Sequence, residues 1–456
     1  MMTIDLAMVA DSTHGCLKGA SIHVSSVSTD SRNMQAGALF VALRGEHHDA
    51  HAFVGSALAN GAVAALVDHE VDVPLPQVVV ADTELALGQL AGAVRALHEV
   101  CVIGITGSNG KTTVKSLVAS ILSRHAPTHV NSGSFNNEIG LPLTLLSMPE
   151  GSRFAVLEMG AGKPGDIDYL VRIARPQIGL VNNIAPAHLE RMGSIDGIAE
   201  TKGALYTGLP VDGVAIINAD DVYAEYFTGL AAGRRIFRFG LGDGADVTAR
   251  DIRHSAIVEF TLVTAQGELP VSLALSGRHN LLNALAAASV ALAVDVPLET
   301  IKAGLEAARP VAGRVAGRSH PSGAKIIDDS YNANPASFAA AIDALAACAG
   351  RRILVMGDMR ELGADGLRLH ADTGALALQR GIESLYAVGE LSVAAVGAFG
   401  SAARHFPSQA DLVSALHAEL TPETTLLIKG SRGSAMDKVV NELFAIDAND
   451  GGRHAA

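Results

Sequence analysis

Cysteine is scarce in this chain. Its three copies, Cys16, Cys101 and Cys348, are far apart and odd in number. That excludes a disulfide framework or a CxxC metal knuckle and fits a reducing compartment. Basic runs are missing as well. Lys and Arg total 34 against 47 Asp and Glu, for a net charge of -13. Such a chain is a poor general binder of nucleic acid or membrane surfaces. Any phosphate ligand must be met locally, by backbone amides, a few cations and metal ions. Long apolar stretches are also absent. A bilayer span needs about 18 apolar residues, and the longest run, 281–294, is interrupted by Asn283 and Ser289, so it reads as a buried helix. The opening MMTIDLAMVADSTHG carries acids where a secretory signal has a basic segment. The expectation is a cytoplasmic protein with no stable membrane insertion.

What is present is a globular composition, 49% apolar and 18% charged over 456 residues, long enough for three domains at roughly 150 residues each. To about residue 98, short strand-like runs mix with helical ones: VSTDSRNMQAGALFVAL reads as strand, turn, strand, and TELALGQLAGAVRALHE as a helix. A second unit opens with the buried strand VCVIGITG and the helix KTTVKSLVASILSRH. FAVLEM, IGLVNNI and GVAIINAD follow as further buried strands. Apolar strands alternating with helices predict a doubly wound, mostly parallel sheet. Residues 246–275 alternate with period two and predict antiparallel hairpins. RPVAGRVAGR, residues 309–318, has no periodicity and reads as a linker. Beyond it the alternation restarts at AKIIDDS, RRILVMGD, SLYAVG and TTLLIKGSRGS. The expected fold class is α/β in three parts, 1–98, 99–310 and 311–456, with a cleft between the last two sheets.

Thr106-Gly107-Ser108-Asn109-Gly110-Lys111-Thr112-Thr113 sits between a strand and a helix. Glycines let amides converge on phosphate oxygens at a helix N-terminus. Lys111 suits the β- and γ-phosphates, and the Thr112 hydroxyl suits Mg²⁺. The strict pattern wants Gly at 105, where Ile stands. A bland Gly-rich turn is the competing reading.

Glu158 and His188 each follow a buried strand, at the edge where a parallel sheet opens to ligands. Glu158 suits a metal or merely a helix cap, and a lone His188 is as a rule structural. Lys202 by spacing alone is a solvated helix lysine. Asn280 reads equally as an N-cap. Asp328, Asp329, Tyr331, Asn332, Asn334 and Pro335 follow a strand of the last unit and suit either a cleft edge or Asn-Pro turn chemistry.

TGSNGKTT, GSFNNEIGLPLTLL, EMGAGKPGDI, NNIAPAHLERMGS, ETKGALY, NADD, GRHNLLNALAAAS, DDSYNANPASF, VMGDMRELG and IKGSRG occur in this order. Together they resemble the Mur ligases, ATP-dependent amide-bond-forming enzymes of peptidoglycan precursor synthesis. The likeness spans essentially the whole chain. DSYNANPAS, GDMRELG and KGSRGSAMD resemble the member that adds D-alanyl-D-alanine to UDP-N-acetylmuramoyl-tripeptide. The resemblance implies a UDP-binding N-terminal domain, a P-loop ATPase domain and a Rossmann-like C-terminal domain that closes over ATP. It assigns Thr112, Glu158, His188 and Lys202 to Mg²⁺, with Lys202 carbamylated, and Lys111, Glu158, His188 and Lys202 to catalysis. Gly107, Ser108, Asn109, Gly110, Thr113, Asn218, His279, Asn280, Arg314 and Asp329 fall to ATP. Asp30, Ser31, Arg32, Asn136, Asn137, Tyr331, Asn332, Asn334 and Ser337 fall to the substrates. A monomer without nucleic acid is expected. Two positions depart from the pattern: Ser134 stands where Asn is expected, and Ala204 where an acid often follows Gly203. The rival readings are a superfamily ligase with another amine acceptor, a P-loop regulatory ATPase, and a non-catalytic precursor-binding protein.

Overall fold

CVIGIT forms the strand Cys101–Thr106 because its β-branched and small apolar residues suit burial on both faces of a parallel sheet. A computed structural model describes residues 3–45, 48–133, 135–254, 257–311, 313–314 and 316–450; Ser134 lies outside them. The middle sheet orders Arg235–Phe239, Val214–Asn218, Ile178–Val181, Cys101–Thr106, Phe154–Glu158 and Thr128–Val130, all in parallel. Ile105 pairs with Glu158, Thr106 with Val181, and Val181 with Ile217. The chain therefore leaves this sheet after Thr106, Glu158, Val181 and Asn218 along one edge, where ligands of open α/β sheets bind.

One face of the sheet is covered by helices Lys111–Leu122, Arg278–Ala293 and Leu298–Ala307, with the antiparallel strands Thr248–His254, Val258–Thr264 and Gly267–Leu273 completing that core. The interrupted apolar run is thus the buried helix its pattern predicts. The other face packs Asp166–Ala174 and Ile195–Thr207 against Thr83–Ala96, so the N-terminal unit shares its core with the middle one. Arg95 is buried at that seam. Its guanidinium donates to the carbonyls of Ala174, His98, Val100 and Arg175. Among the described residues no carboxylate pairs with it, and burial lowers its pKa. The N-terminal sheet runs Cys16–Lys18, Gln77–Val79, Ala62–Val67, Ala38–Val41, Ser26–Ser28.

The third sheet orders Ala316–Ser319, Lys325–Asp329, Thr424–Lys429, Arg351–Gly357, Ser384–Val388 and Ala403–Phe406. Only the first pairing is antiparallel. The strand Ala316–Ser319 takes up the end of the expected linker, which is shorter than its composition suggests. Asp329 pairs in register with Lys429, so both stand at the C-terminal edge. Among the described residues no helix is long and apolar enough to cross a membrane.

Candidate active site

Between strand Cys101–Thr106 and helix Lys111–Leu122 the loop turns through Gly110 at φ 80°. A Cβ there would lie 2.5 Å from both Asn182 Nδ2 and Asn283 Oδ1, so the position needs glycine for space as well as conformation. Ser108 N donates to the Asn183 carbonyl at 2.9 Å, and Asn109 N to Asn183 Oδ1 at 2.9 Å. The loop is pinned against the next strand's exit. Lys111 Nζ donates to Gly107 O at 2.8 Å, and burial lowers its pKa. Gly110→Ala is expected to add about 1–3 kcal/mol of strain and weaken ATP binding roughly ten- to hundredfold. Titration calorimetry measures this, and an unchanged affinity would show that the loop has room to shift.

Glu158 is 1% exposed and surrounded by donors. Thr112 Oγ1 donates to its Oε2 at 2.9 Å and Asn136 Nδ2 to its Oε1 at 2.7 Å. Lys115 Nζ lies 3.5 Å from Oε2 and also donates to the carbonyls of Asn131 (3.0 Å) and Gly133 (2.8 Å). Lys115 went unnoticed in the sequence. The available signal was its place one helical turn after Lys111, on the buried side of an amphipathic helix.

His188 caps helix Leu189–Met192 with φ 55°. Its Nδ1 pairs with the Glu361 carboxylate of the third sheet's unit, while burial lowers its pKa against the opposing pull of Glu361. Lys202 is 2% exposed inside helix Ile195–Thr207, which corrects the solvated-lysine reading: spacing does not reveal which helix face packs inward. Burial first, then the charge of Lys111, push its pKa down to about 7.

From the third sheet, Lys429 Nζ pairs with Asp329 Oδ2 at 2.5 Å and donates to Asn332 O at 2.9 Å. Both charged side chains are buried. Arg314 stacks 4.0 Å over the Tyr331 ring and donates to Thr112 Oγ1 at 3.2 Å, tying the linker to the phosphate loop. Asn334 and Ser337 form the reciprocal cap of helix Pro335–Ala346, so the turn reading holds for them. Asn334 Nδ2 additionally donates to Asn109 Oδ1 at 2.8 Å. Asn280 is not the N-cap: Gly277, at φ 91°, starts that helix, and Asn280 is one turn inside it, donating to Ser276 O. Asn218 Nδ2 donates to Asn182 O at 3.0 Å. Burial lowers the pKa of His279, which Asp329 opposes.

A cleft of about 650 Å³ between the two sheets gathers Ser108, Asn109, Gly110, Lys111, Thr113, Asn136, Asn137, Glu158, His188, Asn218, His279, Asn280, Arg314, Asp329, Tyr331, Asn332, Asn334 and Ser337. Gly107, Thr112 and Lys202 are not in the lining but touch or act on it: Gly107 O accepts from Lys111, Thr112 donates to Glu158, and the Lys202 amine is coupled electrostatically to Lys111 and His188. Asp30, Ser31 and Arg32 do not join it. They follow strand Ser26–Ser28, where Arg32 clasps Asp30 through two 2.9 Å bonds and holds its pKa at about 2. Another cluster, His51, Asp68 and His69, is already satisfied. Arg44 covers both Asp68 oxygens at 2.6 and 3.1 Å, and Asp68 N donates to His51 Nε2 at 3.0 Å.

Known proteins share this arrangement. Family models described as Mur ligase family, catalytic domain, Mur ligase middle domain, and Mur ligase, glutamate ligase domain match residues 23–95, 105–291 and 313–432. The UDP-N-acetylmuramoyl-tripeptide--D-alanyl-D-alanine ligase of Escherichia coli (strain K12) is 42% identical, over 97% of this chain and 99% of that protein. The ligase of the same name from Bacillus subtilis (strain 168) is 35% identical, over 92% and 93%. A crystal structure of MurF from Acinetobacter baumannii superposes with a TM-score of 0.92 at 36% identity, over 97% and 99% of the chains. That of MurF from Thermotoga maritima in complex with ADP superposes at 0.82 with 26% identity, over 94% and 98%. With three family models matched in order along the chain and full-length relatives at 35–42% identity, the chain belongs to the Mur ligase family.

Proposed function

We infer that this chain is the ATP-dependent ligase that joins D-alanyl-D-alanine to UDP-N-acetylmuramoyl-tripeptide, giving the pentapeptide precursor of peptidoglycan. One observation carries this. The loop 107–113, with Thr112 on Glu158, faces the Asp329–Asn334 edge of a second sheet across one cleft, in a chain that matches such ligases from end to end.

The tripeptide's terminal carboxylate oxygen attacks the γ-phosphorus of ATP, and the bond to ADP breaks. The dipeptide's amine, once deprotonated, attacks the acyl phosphate carbon, and phosphate leaves the tetrahedral intermediate. Two anions must meet in the first step. Lys111, whose Nζ rests on Gly107 O at the phosphate loop, supplies the cation that screens their repulsion. Lys429, buried and fixed by Asp329, keeps a cation at the opposite wall. Closure of the C-terminal sheet, through Arg314 on Thr112 and Asn334 on Asn109, positions the reactants and keeps water from the acyl phosphate.

The donor set fits Mg²⁺: a hydroxyl and a carboxylate, 2.9 Å apart at the end of the phosphate loop, are the hard oxygen ligands that ion takes. Thr112 and Glu158 would hold one ion, and Glu158, His188 and a carbamylated Lys202 a second. When bound, these ions neutralise the phosphoryl oxygens. Lys202 suits the modification because, with its pKa near 7, much of it is a neutral amine. Its nitrogen bonds to the carbon of CO₂ and releases one proton to water. A side chain whose charged form Lys111 repels thereby becomes an anion attracted to it.

We assign Asn218, His279 and Asn280 to the nucleoside side of ATP and Asn136 and Asn137 to the muramoyl peptide. Tyr331, Asn332, Asn334 and Ser337 belong to the dipeptide side, and Asp30, Ser31 and Arg32 to the UDP end. The parts 1–98, 99–310 and 311–456 serve UDP-sugar binding, ATP binding, and dipeptide binding with closure. The enzyme acts as a cytoplasmic monomer, and its product supports cell shape and division. Coupled ADP-release assays are expected to require both UDP-N-acetylmuramoyl-tripeptide and D-alanyl-D-alanine. Undiminished release without the muramoyl peptide would point to a regulatory ATPase, and without the dipeptide, to a different acceptor.

A further inference from the structure

The contact between His188 and Glu361 joins two units of the fold and is not explained by packing. Glu361 belongs to the loop after strand Arg351–Gly357. That loop is pinned on both sides: Met359 and Leu362 are buried in the third sheet's core, and Met359 N donates to the fully buried His370 at 2.9 Å. Between them Glu361 takes φ 63°, and across the interface His188 takes φ 55°. Left-handed backbone costs a residue other than glycine about 1–2 kcal/mol, and here two such residues meet. Glu190 N also donates to Glu361 O at 3.3 Å, so backbone and side chain of Glu361 both clasp the His188 turn.

A carboxylate can only accept, so the imidazole proton must sit on Nδ1. The lone pair is then on Nε2, which has no hydrogen-bond partner among the described residues. We propose that Glu361 is the positioning residue for His188: from the C-terminal sheet's unit it brings a carboxylate that fixes the Nδ1–H tautomer and leaves Nε2 as a ready ligand or acceptor. This rests on the ligase reading, in which His188 helps to hold a cation. An outer carboxylate that sets a histidine's tautomer changes metal affinity or rate by about 10–100-fold. Here that carboxylate comes from the C-terminal unit, so the contact between the two units and the readiness of His188 are coupled.

The test is imidazole NMR of protein carrying isotope-labelled histidine, free of divalent ions, in mildly alkaline buffer. The His188 signal is identified by its loss in His188→Gln. Wild type is expected to show Nδ1–H, and Glu361→Ala to move toward Nε2–H. Glu361→Gln, whose amide oxygen still accepts, is expected to retain Nδ1–H. In the coupled assay Glu361→Ala should lower kcat about 10–100-fold with KM for the muramoyl peptide unchanged, and Glu361→Gln should recover most of the rate. A wild-type Nε2–H signal, or the same tautomer in wild type and Glu361→Ala, overturns the proposal. Wild-type enzyme that fails to ligate would instead sink the ligase reading, since the tautomer is read without turnover.

Discussion

Lys202→Met is expected to lower ligation on the order of 10²–10³-fold while raising the thermal midpoint by a few degrees. The two effects have one cause. The wild-type amine is buried, and its pKa falls from 10.5 to about 7. The folded state therefore disfavours a charge that the unfolded chain carries freely. Methionine fills nearly the same volume without that penalty, but it has no nitrogen to take CO₂. The linkage sign follows. Between pH 7 and 10.5 the unfolded chain binds more protons at this residue than the folded one, so its contribution to stability rises with pH across that window. Below about 7 both states are protonated and the contribution is flat. Melting curves of wild type and Lys202→Met in CO₂-free buffer should converge as pH rises through the window. Lys202→Ala, which leaves space, is expected to regain part of its activity with acetate or propionate, carboxylates standing in for the proposed carbamate. Full activity of either variant without supplement would remove the carbamate from the mechanism.

The phosphate loop was legible because strand, turn and helix are contiguous in sequence, and glycine spacing reports the backbone they need. The shared edge of Glu158 and His188 is legible for a related reason: residues just after buried parallel strands end up on the same side of the sheet. Partners chosen by distant packing were not. Lys115 looks like any helix lysine until the 131–133 carbonyls close over it. Glu361 stands far along the chain from His188, and no local pattern couples the two. Asn280 reads as an equally good cap because the Gly277 torsion that starts the helix leaves no distinctive mark. The edge strands Thr128–Val130 and Arg235–Phe239 lack the uninterrupted apolar runs of the central ones, since one side of each has no neighbour to bury it.

Glu158→Gln tests the hub of the site. The carboxylate accepts from Thr112 and Asn136 and faces the Lys115 ammonium. Glutamine keeps the size but replaces one acceptor oxygen with an NH₂. That group meets Asn136 Nδ2, donor against donor, until the Asn136 amide flips, and a flipped Asn136 no longer presents its NH₂ to this side chain. The harder problem is charge. Lys115, 5% exposed, keeps two carbonyl acceptors but loses the one anion that pairs with it among the described residues. Removing one partner of a buried pair costs about 3–5 kcal/mol; the 3.5 Å separation and the remaining carbonyls place this case at the low end. In catalysis the loss is larger in consequence, because the same carboxylate is the anionic oxygen ligand common to both proposed Mg²⁺ positions. Ligation is expected to fall on the order of 10²–10³-fold, and the Mg²⁺ concentration for half-maximal rate to rise. The double variant Lys115→Met, Glu158→Gln separates the two effects. It should recover most of the lost stability in denaturant melts, since the stranded cation is gone, and none of the activity. If the double variant stays as unstable as Glu158→Gln, the buried charge is not what destabilises it; if it ligates at the wild-type rate, Glu158 is not where the phosphoryl chemistry is organised.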